Sequence, residues 1–145
     1  LGEVENRISF FSEQGKKKTV EKVIELFQAF NNEIIALQNK AYKFCRFTKV
    51  YYWPLYSDQN GIIAEYQDGC WICAIKKDVV TEAQIQEFLQ VCKQQKYKVR
   101  RMIMITFKQM ELNVKLMALE KKIWLWGLND LNLLFDLYGK EQIFG

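Results

Sequence analysis

The sequence contains no histidine among its 145 residues, and this absence limits the chemistry that its side chains could perform. Ser/His/Asp and Cys/His triads, an imidazole base and histidine-ligated zinc are all excluded. The reactive groups that remain are carboxylates, lysine amines and four cysteine thiols. Any catalysis would therefore use these groups, or a metal ion that oxygen ligands hold.

The cysteines include one closely spaced pair, Cys70 and Cys73, besides Cys45 and Cys92. A structural zinc site normally needs a second pair or histidines, and neither exists. A thioredoxin-like dithiol opens a helix after a strand, whereas residues 70–76 are strand-like, and positions three apart on a strand point to opposite faces. We therefore predict four buried free thiols, which are typical of a reducing cytosol, and a cytoplasmic location.

Positive charge is concentrated between residues 93 and 122, although the net charge of the whole chain is only +4. The densest basic group comprises Lys96, Lys98, Arg100 and Arg101 and lies just before a predicted strand. Such a cluster could contact the phosphates of a nucleic acid, and solvated loop residues would give the same pattern. These four residues are the predicted nucleic-acid contacts.

Length and composition indicate one folded domain over residues 1–145. Half of the residues are hydrophobic and only one is proline, which excludes disordered and low-complexity classes. No apolar run approaches the roughly 20 residues of a membrane span. The chain begins with Leu rather than Met, which is compatible with a fragment of a longer protein.

Hydrophobic periodicity predicts an α/β chain with the element order α, β, β, β, α, β, α, β, α. The first helix is predicted over 19–39 and the first strand over 44–53, and an Asp-Gly turn joins strands over 62–66 and 70–76. The later predicted elements are a helix over 81–96 with a Thr81/Gln84 capping box, a strand over 101–107, a helix over 110–122, a strand over 123–126, and a helix over 128–138 that Gly139 caps. We expect a mixed central sheet, an antiparallel meander followed by parallel strands, with helices on both faces.

This order of elements resembles the restriction-endonuclease-like fold of the PD-(D/E)xK nuclease superfamily. Residues 60–76, NGIIAEYQDGCWICAIK, are similar to the segment in which the family's Pro-Asp opens one strand and its Glu-x-Lys ends the next. The resemblance implies a fold that cleaves phosphodiesters with magnesium, and it puts Lys76 at the position of the motif lysine. The family's Pro-Asp corresponds to Asn60 and Gly61, and its second acid to Ala74.

A lysine alone cannot hold the divalent ion that phosphodiester hydrolysis needs, because magnesium requires oxygen ligands. Other acids are therefore candidate replacements. Glu65 is the first, since alternation along the strands puts it on the same face as Lys76, where the two would act together in catalysis. Asp58 and Glu87 are further candidate metal ligands, and their simpler interpretations are a turn cap and a solvated helix residue.

We expect a nucleic-acid-binding domain, with DNA as the first candidate ligand, whose nuclease motif is degenerate. No cofactor and no membrane partner are expected, and a homodimer remains open. One alternative is an active magnesium-dependent endonuclease in which Glu65 and another displaced acid act with Lys76. A second alternative is a structural or protein-interaction domain that does not bind nucleic acid.

Overall fold

The computed structural model describes residues 13–54 and 60–143, with side chains from residue 18 onwards. In chain order the elements are α1 (Glu13–Ala29), β1 (Glu33–Leu37), β2 (Lys40–Phe44), β3 (Lys49–Pro54), β4 (Asn60–Tyr66), β5 (Gly69–Lys76), α2 (Glu82–Lys93), β6 (Lys98–Thr106), α3 (Leu112–Glu120), β7 (Ile123–Gly127) and α4 (Leu128–Leu137). Within these ranges, no helix is both long enough and apolar enough to cross a membrane.

The main sheet has five strands in the order β3-β4-β5-β6-β7. Strands β3, β4 and β5 form an antiparallel meander, and β5, β6 and β7 are parallel. Helices α2 and α3 form the two crossovers, as expected for parallel neighbours. The predicted mixed sheet is therefore confirmed.

Hydrophobic side chains cover both faces of this sheet. On the first face, helices α1 and α4 and the β1–β2 hairpin bury a cluster that includes Phe27, Trp71 and Trp126. On the second face, α2 and α3 pack against a cluster that includes Ile72 and Phe88. Strand β5 lies in the middle and all eight of its residues are buried, so the prediction of helices on both faces is confirmed.

Local sequence signals account for several element boundaries. The Thr81 hydroxyl accepts a hydrogen bond from the Gln84 amide at 3.3 Å, and the Gln84 side chain accepts one from the Thr81 amide at 3.0 Å, which is the predicted capping box at the start of α2. Gly139 follows α4 with a φ of 66°, a left-handed conformation that glycine adopts without steric cost.

The prediction of a helix over 19–39 is wrong in its second half. The helix ends at Ala29, and the following residues form the antiparallel β1–β2 hairpin. Gln38 and Asn39 make its two-residue turn with φ angles of 54° and 60°, as a tight hairpin turn requires. The predicted strand over 44–53 is wrong at its start for the same reason, because Phe44 ends β2 and the strand begins at Lys49.

Candidate functional site

The two positions that correspond to the acids of the nuclease motif face each other in the sheet. Gly61 on β4 pairs with Ala74 on β5, and both residues are buried. Lys76 ends β5 on the same face as Ala74 and is only 5 % exposed. Neither of these paired positions supplies an oxygen ligand for a divalent ion.

Glu65 shares the second face of the sheet with Lys76 but lies at the other end of the hairpin. It pairs with Cys70, six residues before Lys76 on β5, which corresponds to about 20 Å along the strand. Its carboxylate accepts a hydrogen bond from the Tyr51 hydroxyl, with 2.5 Å between the two oxygens. The structure thus does not bring Glu65 and Lys76 together.

The other two candidate metal ligands are Glu87 and Asp58. Glu87 is half-buried on α2, and its Oε2 is buried without a hydrogen-bond partner among the described residues. Asp58 lies outside the described residues. In residues 13–54 and 60–143, no three His, Cys, Asp or Glu side chains are grouped so that they could hold a metal ion. The described donors around Lys76 therefore do not fit the magnesium site that the resemblance implies.

The cysteines do not form a reactive site in the structure. Cys73 belongs to the core of the first face and Cys70 to that of the second, so the pair points to opposite sides of β5. All four thiols are free, and Cys45 is half-buried rather than buried as predicted. Burial raises the pKa of the Cys45 thiol to about 11 and that of Cys92 to about 12, so both stay protonated at neutral pH.

A basic groove lies on the first face, at the end of the sheet where β6 begins. Its volume is about 510 Å³. Among the described residues, four exposed cationic side chains line it, and no aspartate or glutamate does. These side chains are Lys43, Arg46, Arg100 and Arg101. Such a concentration of one charge sign attracts polyanions.

The two arginines reach the same groove because the pairing of β5 with β6 is irregular at Arg100. Cys70 pairs with Val99 and Trp71 with Arg101, so Arg100 is an extra residue on β6. In a regular strand, neighbouring side chains would point to opposite faces. The irregularity therefore allows consecutive arginines to line one groove.

Each arginine is held by a specific neighbour. The Arg101 guanidinium lies over the Trp124 ring, 5.0 Å from its centroid. The Arg100 side chain crosses Gly69, where an added Cβ would lie 2.8 Å from its Cγ. Its Nη2 forms an exposed ion pair with Asp68 at 3.3 Å. These contacts orient both guanidinium groups while leaving them accessible.

The β1–β2 hairpin and the loop that follows it supply the other two cations of the basic groove. Lys43 lies on β2, and Arg46 follows that strand. The backbone amide of Arg46 donates a hydrogen bond to the Asn32 side chain at 3.3 Å, which connects the two ends of the hairpin. Sequence reasoning missed both residues because it assigned the first half of this hairpin to a helix.

The other two predicted nucleic-acid contacts do not line the basic groove. Lys96 lines a separate pocket on the second face, and its ammonium lies 5.6 Å from the centroid of the Tyr97 ring. Lys98 is exposed at the first residue of β6, where it pairs with Gly69. The four predicted residues thus surround one end of the sheet rather than form one patch.

No protein-family model, no curated protein and no solved structure matches this chain. The resemblance to PD-(D/E)xK nucleases rests on the order of elements and on the residues of the motif.

Proposed function

We propose that this domain binds nucleic acid, with DNA as the first candidate, through the basic groove. The observation that carries the proposal is the groove's lining, in which four exposed cations converge and one of them, Arg100, pairs with the exposed Asp68 carboxylate. Arginine guanidinium groups donate paired hydrogen bonds to phosphate oxygens and are well suited to this role. Contacts of this type bind the backbone and do not read base sequence.

We further propose that the fold is restriction-endonuclease-like and that its catalytic motif is degenerate. The mixed five-stranded sheet, whose meander precedes the parallel strands, supports the fold assignment. The pairing of Gly61 with Ala74 supports the loss of catalysis, because the residues opposite each other carry no metal ligand. Lys76 itself is only 5 % exposed.

The binding proposal is tested with a fluorescently labelled oligonucleotide of about 15 residues, by anisotropy at about 50 mM salt. The double variant Arg100→Gln/Arg101→Gln should lower the affinity by at least tenfold, since two phosphate contacts are lost. The matched control is Lys121→Gln/Lys122→Gln, which removes the same charge from adjacent exposed residues outside the groove. Equal losses in both variants would show that only net charge matters.

Incubation with DNA or RNA and magnesium or manganese tests the degenerate motif, and we expect no cleavage. Metal-dependent cleavage that Lys76→Ala abolishes would contradict this expectation and would favour an active nuclease. The complete absence of nucleic-acid affinity at about 50 mM salt would instead favour a protein-interaction domain.

A further inference from the structure

A second cavity lies on the other face of the same end of the sheet. Its volume is also about 510 Å³, and we call it the aromatic pocket. Its lining comes from β3, β4, β5, the end of α2 and the turn before β6, and includes Tyr51, Trp53, Cys70, Gln95, Lys96 and Tyr97. Trp53 and Tyr97 are 38 % and 37 % exposed, so flat aromatic surface faces solvent there.

Two lysine ammonium groups lie over aromatic rings that line this pocket. The Lys96 ammonium lies over Tyr97, and the Lys49 ammonium lies 5.0 Å from the centroid of the Tyr51 ring. Burial and the neighbouring Glu65 carboxylate, which accepts a hydrogen bond from the Tyr51 hydroxyl, raise the pKa of this phenol, and Glu65 contributes one negative charge beside the two ammonium groups. An anionic ligand with a flat ring fits these surroundings better than a purely apolar one.

The aromatic pocket and the basic groove are joined by the start of β6. Lys96 lines the pocket, Lys98 is exposed, and Arg100 and Arg101 line the groove. The distance from Lys98 to Arg101 along the strand is about 10 Å. One extended polyanion can therefore follow this basic segment from one face of the sheet to the other.

We propose that the aromatic pocket takes an unpaired nucleobase of the same strand whose phosphates contact the basic groove. Bases stack on aromatic side chains with little dependence on sequence, whereas a paired base is not free to enter a pocket. The inference rests on the proposed function and narrows its ligand to single-stranded or locally unpaired nucleic acid.

The test compares the affinity for a labelled oligo-dT of about 15 residues with that for a duplex of equal length. Wild-type protein should bind the single strand more tightly. Trp53→Ala and Tyr97→Ala should each lower the single-strand affinity by about tenfold and the duplex affinity by less than twofold. Tyr52→Ala is the matched control, because Tyr52 is 49 % exposed on the same strand but does not line the pocket.

A second measurement does not depend on how well the alanine variants fold. Trp53 is an exposed tryptophan, whereas Trp71 and Trp126 are buried and Trp124 is half-buried. Oligo-dT should therefore quench the tryptophan fluorescence of the wild type. Trp53→Phe, which keeps a ring for stacking, should lose most of this quenching and retain most of the affinity.

The outcomes separate this inference from the proposed function. If the Arg100→Gln/Arg101→Gln variant binds weakly while Trp53→Ala and Tyr97→Ala bind like wild type, the aromatic pocket does not bind a base, and binding through the basic groove is supported. Equal wild-type affinity for single strand and duplex would also contradict the binding of an unpaired base in the aromatic pocket. If neither nucleic acid binds, both proposals are wrong.

Discussion

Gly61 and Ala74 lie directly opposite each other on β4 and β5, and the proposed resemblance to PD-(D/E)xK nucleases aligns these two positions with metal-binding acids. Neither of these two opposed residues carries an oxygen ligand for a metal ion. Ala74 is fully buried, and the space next to it is closed by the second hydrophobic core. This pairing suggests that carboxylates introduced here would meet each other and would depend on a cation for stability.

Restoring the acids tests this relationship. Ala74→Glu should lower the free energy of unfolding by about 3 kcal/mol, because it puts a larger, charged side chain into a fully buried position. In the double variant Gly61→Asp/Ala74→Glu, manganese should raise the midpoint of thermal unfolding, and it should leave the wild-type midpoint unchanged. Thermal unfolding followed by circular dichroism with and without the ion measures both effects. If manganese leaves the unfolding midpoint of the double variant unchanged, the two positions do not form a metal site.

The Arg100 side chain can lie across the hairpin only because residue 69 has no Cβ, so its position in the basic groove depends on Gly69. A Cβ at Gly69 would lie 2.8 Å from both Cγ and Nε of Arg100, so Gly69→Ala should displace that side chain. We expect a threefold to tenfold loss of oligonucleotide affinity with a change in stability below about 1 kcal/mol, since the displaced side chain is flexible. Anisotropy and urea unfolding measure the two quantities.

Asp68→Asn provides the opposite change at the same place. It removes the exposed carboxylate that pairs with Arg100 at 3.3 Å, so the groove becomes more positive without a steric clash. The affinity should rise about twofold to threefold at low salt, and this gain should vanish at high salt because exposed charges are screened. An affinity that falls in Asp68→Asn would mean that the ion pair is needed to orient Arg100.

The buried thiol of Cys92 predicts a loss of stability at alkaline pH. Burial raises its pKa to about 12 from the ordinary value near 9. Below pH 9 the thiol is protonated in both the folded and the unfolded chain, so its titration does not lower the free energy of unfolding there. As the pH rises from about 9 towards 12, only the unfolded chain releases the proton, which favours unfolding by up to about 1.4 kcal/mol per pH unit.

Urea unfolding between pH 8 and 11 measures this effect. Cys92→Ala should show a smaller fall in stability over that range than the wild type, although it is less stable at pH 8 because of the cavity it creates. Parallel curves for the two proteins would assign the alkaline fall to other groups.

Much of the main sheet could be predicted from the sequence, because its signals are local. The change from alternating to helical hydrophobic spacing located α2, and the Thr81/Gln84 pair located its start. The turn after Tyr66 and strand β6, whose residues Ile103, Met104 and Ile105 are buried, could be predicted in the same way. The β1–β2 hairpin could not be predicted, because the spacing of Phe30 and Ile34 also fits a helix, and the turn lacks glycine.

The candidate site was less predictable than the fold, because it depends on contacts between distant parts of the chain. Lys43 and Arg46 meet the arginines of β6 only after the hairpin packs on the sheet. Arg100 joins Arg101 only because β6 contains an extra residue, for which the sequence has no clear signal. Alternation correctly put Glu65 on the face of Lys76. The predicted Asp-Gly turn already put Glu65 beside the turn and Lys76 at the far end of the second strand, so their separation could also have been predicted.

The salt dependence of oligonucleotide binding tests the central proposal most directly. Four phosphate contacts should give a slope of log affinity against log salt of about −2.8 for a single strand, and loss of two contacts in Arg100→Gln/Arg101→Gln should reduce it to about −1.4. Lys121→Gln/Lys122→Gln should keep the wild-type slope. A slope that is the same in the wild type and in the arginine variant would contradict binding through the basic groove.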